Sequence, residues 1–187
     1  MTSALQICEF GAAGYRSLRN IRFPIGRLTV FVGANGVGKT NLYRALQLLQ
    51  ASAAGTLAGE LASEGGMESA YWAGKRTPNR PVRIRLSVGL GAGTEGQSEA
   101  LLGYRLPTFI ALNEPETSLH PDLLEPLARM IIAASKRTQI WVVTHSERLA
   151  AAFAAASAVT PRTVIKRKGE TWIEGLRLSG DFGGQDD

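Results

Sequence analysis

Eight residues, Gly33-Ala34-Asn35-Gly36-Val37-Gly38-Lys39-Thr40, restrict what this chain can fold into more than any others. They meet the pattern G-x-x-x-x-G-K-[ST] at every required position, and such a loop works only between a strand and a helix. Both flanks comply. Leu28-Thr29-Val30-Phe31-Val32 is an unbroken apolar run, as expected of a buried parallel strand. Asn41 to Leu49 follows with apolar residues at 42, 45, 46 and 49, a helical spacing. Parallel strands need crossover connections, so the chain is expected to build an α/β fold.

The residue types state the chemistry. Glycines let the backbone turn so that successive N–H groups face one concavity, where phosphate oxygens bind. The helix behind it adds unpaired N–H groups and the positive end of its dipole. Gly33, Asn35, Gly36, Gly38, Lys39 and Thr40 are therefore the expected phosphate-binding set. Lys39 would reach the β- and γ-phosphates, and the Thr40 hydroxyl would coordinate Mg²⁺.

Ahead of the loop, residues 5–10 suggest an edge strand and 11–14 a turn, and residues 14–23 alternate as a second strand with arginines on one face. Residues 51–81 are small and polar, with at most a short helix over 57–62. Residues 82–90 alternate as a half-buried strand exposing Arg83 and Arg85, near Lys75, Arg76 and Arg80. Gly91 to Ser98 reads as a flexible linker.

Thr108 to Leu112 is another apolar strand, ending in Asn113-Glu114-Pro115-Glu116. Beside a phosphate loop, such an acidic strand end supplies one oxygen ligand to Mg²⁺ and a carboxylate to the attacking water. A helix is expected over 122–135 with Leu123, Leu127, Met130 and Ile131 as its apolar stripe. Gln139 to Val143 is the next buried strand and ends in Thr144-His145-Ser146, where ligands bind in open α/β sheets. Ser146 is suited to cap an alanine-rich helix to about 158. Segments 162–168 and 170–178 read as a hairpin, and 181–187 as a flexible tail.

Composition narrows the context. The 187 residues contain one cysteine, Cys8, which excludes an internal disulfide and fits a reducing cytoplasm. No charged region followed by an apolar stretch opens the chain, and the run from Leu149 to Val159 is too short to span a bilayer. The expectation is a cytoplasmic protein with no membrane partner. A net charge of +5, carried mainly by arginine, permits contact with nucleic acid without establishing it.

The phosphate loop, Asn113-Glu114-Pro115-Glu116, Ser118-Leu119-His120-Pro121 and Thr144-His145, in this order, resemble an ABC-type ATPase of the RecF/SMC/OLD-like branch. Gly14-Tyr15-Arg16-Ser17-Leu18-Arg19-Asn20 is similar to that family's first hairpin. The resemblance spans about residues 15–178. It implies a P-loop NTPase with a mostly parallel core sheet flanked by helices and an antiparallel N-terminal β element. Residues 1–180 would form one domain with a reduced insertion at about 51–107. It further implies ATP and Mg²⁺ as ligands, a homodimer through the ATP-bound face, and DNA or a partner protein. By the same resemblance Glu114 polarises the attacking water, His145 senses the γ-phosphate, and the Ser118–Pro121 loop meets the other subunit.

The chain departs from that pattern in places. Asn113 stands where the family has a metal-binding aspartate, so Thr40 and Asn113 are the expected metal ligands, the second neutral and weaker. No signature motif or helical lobe is visible before residue 108; Leu178-Ser179-Gly180 lies after every other motif, and Gln97 is a weak match to the lobe-joining glutamine. Two functions follow. One is an ATPase acting in DNA repair, genome maintenance or phage defence. The other is a module that binds ATP without hydrolysing it. No N-K-x-D motif supports a GTPase, and no acceptor site or lid supports a small-molecule kinase.

Overall fold

Parallel pairing of three apolar strands organises the computed structural model, which describes residues 5–74, 83–92 and 109–176. The elements are β1 (Leu5–Tyr15), β2 (Leu18–Pro24), β3 (Leu28–Val32), α1 (Lys39–Ala53), α2 (Leu57–Ser63), α3 (Met67–Ala70) and β4 (Arg85–Ala92). Then follow β5 (Phe109–Asn113), a 3-10 turn (Pro121–Leu123), α4 (Leu124–Ser135), β6 (Gln139–Thr144), α5 (Glu147–Ala156), β7 (Arg162–Arg167) and β8 (Glu170–Ile173). The expectations for residues 75, 76, 80, 93–98, 178–180 and 181–187 lie outside the described residues.

The chain divides into two compact units. The described residues of the first fall within Met1–Cys8, Ile25–Gly33 and Gly89–Thr163. Here β6 lies between β5 and β3, parallel to both, with Ile140 opposite Leu28 and Ile110. Every residue of β6 is buried. Its β-branched residues suit a central strand, and the Trp141 ring packs tilted against Phe31 with centroids 4.5 Å apart. Beyond β3, Phe31 and Val32 pair in parallel with Arg162 and Thr163. Helices α4 and α5 cover this sheet through a core that includes Val30, Ala128, Ile131, Val142, Leu149 and Phe153. At the opposite end of the strands, the buried Gln139 side chain bonds the N–H and C=O of Ile7 and the carbonyl of Gly26.

One expected face is corrected. Helix α4 buries Leu124, Ala128, Ile131 and Ser135, whereas Leu123 and Met130 are exposed. The inward stripe joins Leu124 and Ile131 with the small residues Ala128 and Ser135, and Leu127 and Ile132 pack partly buried against the same core.

The second unit draws its described residues from Glu9–Pro24, Ala34–Val88 and Val164–Asp187. β1 and β2 pair antiparallel from Glu9 opposite Pro24 to Tyr15 opposite Leu18, and β4 lies on the other side of β1. The turn expected at residues 11–14 is instead the continuation of β1. Gly11 gives the reason: a β-carbon there would come within 2.6 Å of Ser87 Oγ, so it is a site of close strand approach. The chain turns at Arg16 and Ser17. β7 and β8 form the expected hairpin around Lys168 and Gly169, both at positive φ as a tight two-residue turn needs.

Candidate nucleotide site

The phosphate loop leaves β3 at Gly33, and residues 34–40 belong to the second unit. Its shape depends on two left-handed glycines, Gly36 at φ 80° and Gly38 at φ 100°. A β-carbon on Gly36 would meet nothing within 4 Å, so the loop is open there. Ala34, Asn35, Gly36 and Thr40 are exposed. Lys39 opens the 15-residue helix α1, is only 4% exposed, and donates from its ammonium to the Ala34 carbonyl at 2.7 Å. Thus the loop presents backbone donors, a helix N-terminus and an ammonium group together, an arrangement that holds phosphate oxygens.

Gly38 is enclosed from behind. Thr171 Oγ1 donates to the Val37 carbonyl at 2.9 Å and lies 2.5 Å from Ser17 Oγ, to which Asn41 Nδ2 donates at 2.6 Å. Sequence reasoning did not find Ser17, Asn41 or Thr171 as site residues. Ser17 and Thr171 are separated by 154 positions, and no spacing rule connects them.

In the first unit the parallel register aligns the strand ends. Val32, just before Gly33, is level with Thr144, and Asn113 with Val143. Gly33, Asn113, Glu114 and His145 therefore share the C-terminal edge of the sheet, the edge where open α/β sheets bind ligands. Glu114 is held at φ 50°, uncommon for a side-chain-bearing residue, and its N–H bonds the Val143 carbonyl at 2.7 Å. Its carboxylate lies 3.7 Å from His145 Nδ1. Asn113 is exposed at the end of β5.

Glu116, not singled out from the sequence, anchors this cluster. It is 7% exposed, and its Oε1 accepts from the Thr144 hydroxyl and, at 3.2 Å, from the His145 N–H. The same oxygen lies 3.4 Å from His145 Nδ1. Two carboxylates thus lie on the Nδ1 side of the ring. Thr144 Oγ1 also accepts from the Ser146 N–H at 2.9 Å, and Ser146 caps α5 through Leu149 N–H as expected. The signal was in Asn113-Glu114-Pro115-Glu116, but only the fold distinguishes the half-exposed first glutamate from the buried second.

Comparisons with known proteins agree with this architecture. A family profile described as "AAA domain, putative AbiEii toxin, Type IV TA system" matches residues 28–99 and 98–151. No curated protein matches the chain. In fold the chain is similar to the SMC head domain from Thermotoga maritima, with TM-score 0.55 and 14% identity over 92% of this chain and 100% of that one. It is also similar to an SMC head bound to the C-winged helix domain of ScpA, with TM-score 0.61 and 13% identity over 92% of this chain and 98% of that one. With the family profile spanning more than half its length, the chain belongs to this AAA-domain family, and its P-loop fold is similar to that of SMC heads.

Proposed function

We propose that this protein binds ATP with Mg²⁺ and hydrolyses it slowly. The observation that carries the reading is the complete G-x-x-x-x-G-K-T loop closing through left-handed Gly38 onto helix α1. The exposed loop amides, the helix N-terminus and Lys39 bind the phosphates. Thr40 and Asn113 would be the protein's ligands to the metal. Mg²⁺, when bound, neutralises charge on the β- and γ-phosphates. Glu114 accepts the proton of the attacking water, and His145, held by Glu116, senses the γ-phosphate as a hydrogen-bond donor.

Asn113 favours a second reading, a module that binds ATP for association without turnover. A neutral amide oxygen offsets metal dehydration less than a carboxylate does. Phosphate release by the wild type, Lys39→Ala and Glu114→Gln separates the two. An ATPase should show release that both substitutions abolish, with ATP retained by the second alone. Equal background release from all three, with ATP still bound by the wild type, supports the non-hydrolysing module. For partners, we propose a second copy of the chain or another protein on the nucleotide-bound form, with DNA as a further ligand and genome maintenance or phage defence as the setting.

A further inference from the structure

We propose that Ser17 and Thr171 are positioning residues for the nucleotide: a one-way chain of hydrogen bonds through their hydroxyls sets the orientation of the Val37–Gly38 peptide. The inference deepens the ATP-binding reading and rests on it, but its geometry stands separately.

Donor and acceptor identities fix the direction of the chain. The Asn41 amide nitrogen can only donate, so Ser17 Oγ accepts from it at 2.6 Å. The Val37 carbonyl can only accept, so the single Thr171 hydroxyl hydrogen goes to it at 2.9 Å. The remaining link, 2.5 Å long, must then run from the Ser17 hydroxyl to Thr171 Oγ1. Asn41 donates to Ser17, Ser17 to Thr171, and Thr171 to the loop; every link polarises the next.

The backbone holds the two hydroxyls in place, since the Thr171 N–H bonds the Ser17 carbonyl at 2.8 Å. Thr171 is almost fully buried. In a trans peptide the C=O and N–H point opposite ways. Tying the Val37 carbonyl back to Thr171 therefore turns the Gly38 N–H away from β8, as a donor for an anion. Gly38 must also lack a side chain here: a β-carbon would lie 1.8 Å from Thr171 Oγ1 and 2.7 Å from Ser17 Oγ.

Thr171→Val keeps the shape and removes the hydroxyl, while Thr171→Ser keeps the hydroxyl and removes the methyl. ATP affinity by calorimetry should fall about tenfold in Thr171→Val and several-fold in Ser17→Ala, and stay within about twofold in Thr171→Ser. Melting temperature identifies variants that fail to fold. Amide hydrogen exchange of the 33–41 segment in the ligand-free protein provides a readout independent of nucleotide: it should quicken in Thr171→Val and Ser17→Ala only. Unchanged affinity and exchange in folded Thr171→Val would overturn the proposal, as would equal losses in Thr171→Ser. If Thr171→Val does not fold, Ser17→Ala decides by the same two measurements. If the wild type binds no ATP, the nucleotide reading falls and hydrogen exchange alone decides whether the hydroxyls hold the loop.

Discussion

Glu114 combines positive φ, a backbone bond to β6 and a half-exposed carboxylate near His145, so its side chain is placed by the turn rather than by burial. Replacing it by glutamine should reduce turnover about 10²–10⁴-fold, the usual contribution of a general base, with ATP affinity within about twofold. Single-turnover phosphate release beside calorimetry checks this. At Asn113, aspartate should tighten Mg²⁺ about tenfold, or ~1.4 kcal/mol, read as a leftward shift in a Mg²⁺ titration of phosphate release. An unchanged titration would place Asn113 outside the metal shell. Both residues were singled out in the sequence because they lie where an apolar strand ends beside a phosphate loop. Glu116 was legible as a residue and not as a role: its importance comes from being buried against Thr144 and His145, which only folding brings to it.

At the scale of elements, the β1–β2 turn is fixed by a charge cluster no periodicity reveals. The Tyr15 hydroxyl lies 3.0 and 2.9 Å from the two oxygens of Glu64, which follows α2, and Arg16 pairs with the same carboxylate at 3.0 Å. Burial, then the hydrogen bond to Glu64, pushes the Tyr15 phenol above its ordinary value. Burial alone would lower Arg16, but bonds to Glu64 and Tyr15 outweigh it and hold the guanidinium above its usual range. Above about pH 10 the unfolded chain loses the tyrosine proton while the folded one keeps it. Stability from Tyr15 is therefore complete below that pH and declines above it, by about 1.4 kcal/mol per pH unit until the folded phenol titrates. Tyr15→Phe should remove that slope and lower the melting temperature at neutral pH, since the hydrogen bonds to Glu64 go too. In the first unit, Phe153 is fully buried where α5 meets the sheet, and Phe153→Ala should cost about 3–5 kcal/mol in denaturant unfolding.

For the whole molecule, charge is a poorer guide to partners than its total suggests. Arg19 and Arg22 of β2 are both exposed, but three residues apart in an unbroken register they lie on opposite faces of the strand, not on the one face expected; Arg19 pairs with Glu170 at 3.0 Å and Arg22 with Glu9 at 2.7 Å. Those pairs reduce the positive field available to DNA, so binding should be weak and strongly salt-dependent. With about four phosphate contacts, log affinity against log salt should fall with a slope near −3.6. No binding at low salt would remove DNA as a ligand. Among the described residues no helix is long and apolar enough to cross a membrane.

Short-range signals along the chain set the local features: the phosphate loop with its strand and helix, the acidic end of β5, the histidine after β6 and the β7–β8 hairpin. Each is written in consecutive residues, where glycine conformation, apolar runs and helical spacing act over short range. Tertiary structure decided the inward face of α4, the continuation of β1 through Gly11, the anchoring role of Glu116 and the hydroxyl chain behind Gly38. These depend on residues far apart in the chain, such as Ser17 and Thr171, or on which of several similar side chains meets the sheet. The physical reason is that packing and buried hydrogen bonds select partners by shape and burial in three dimensions, and neither quantity has a period along the chain.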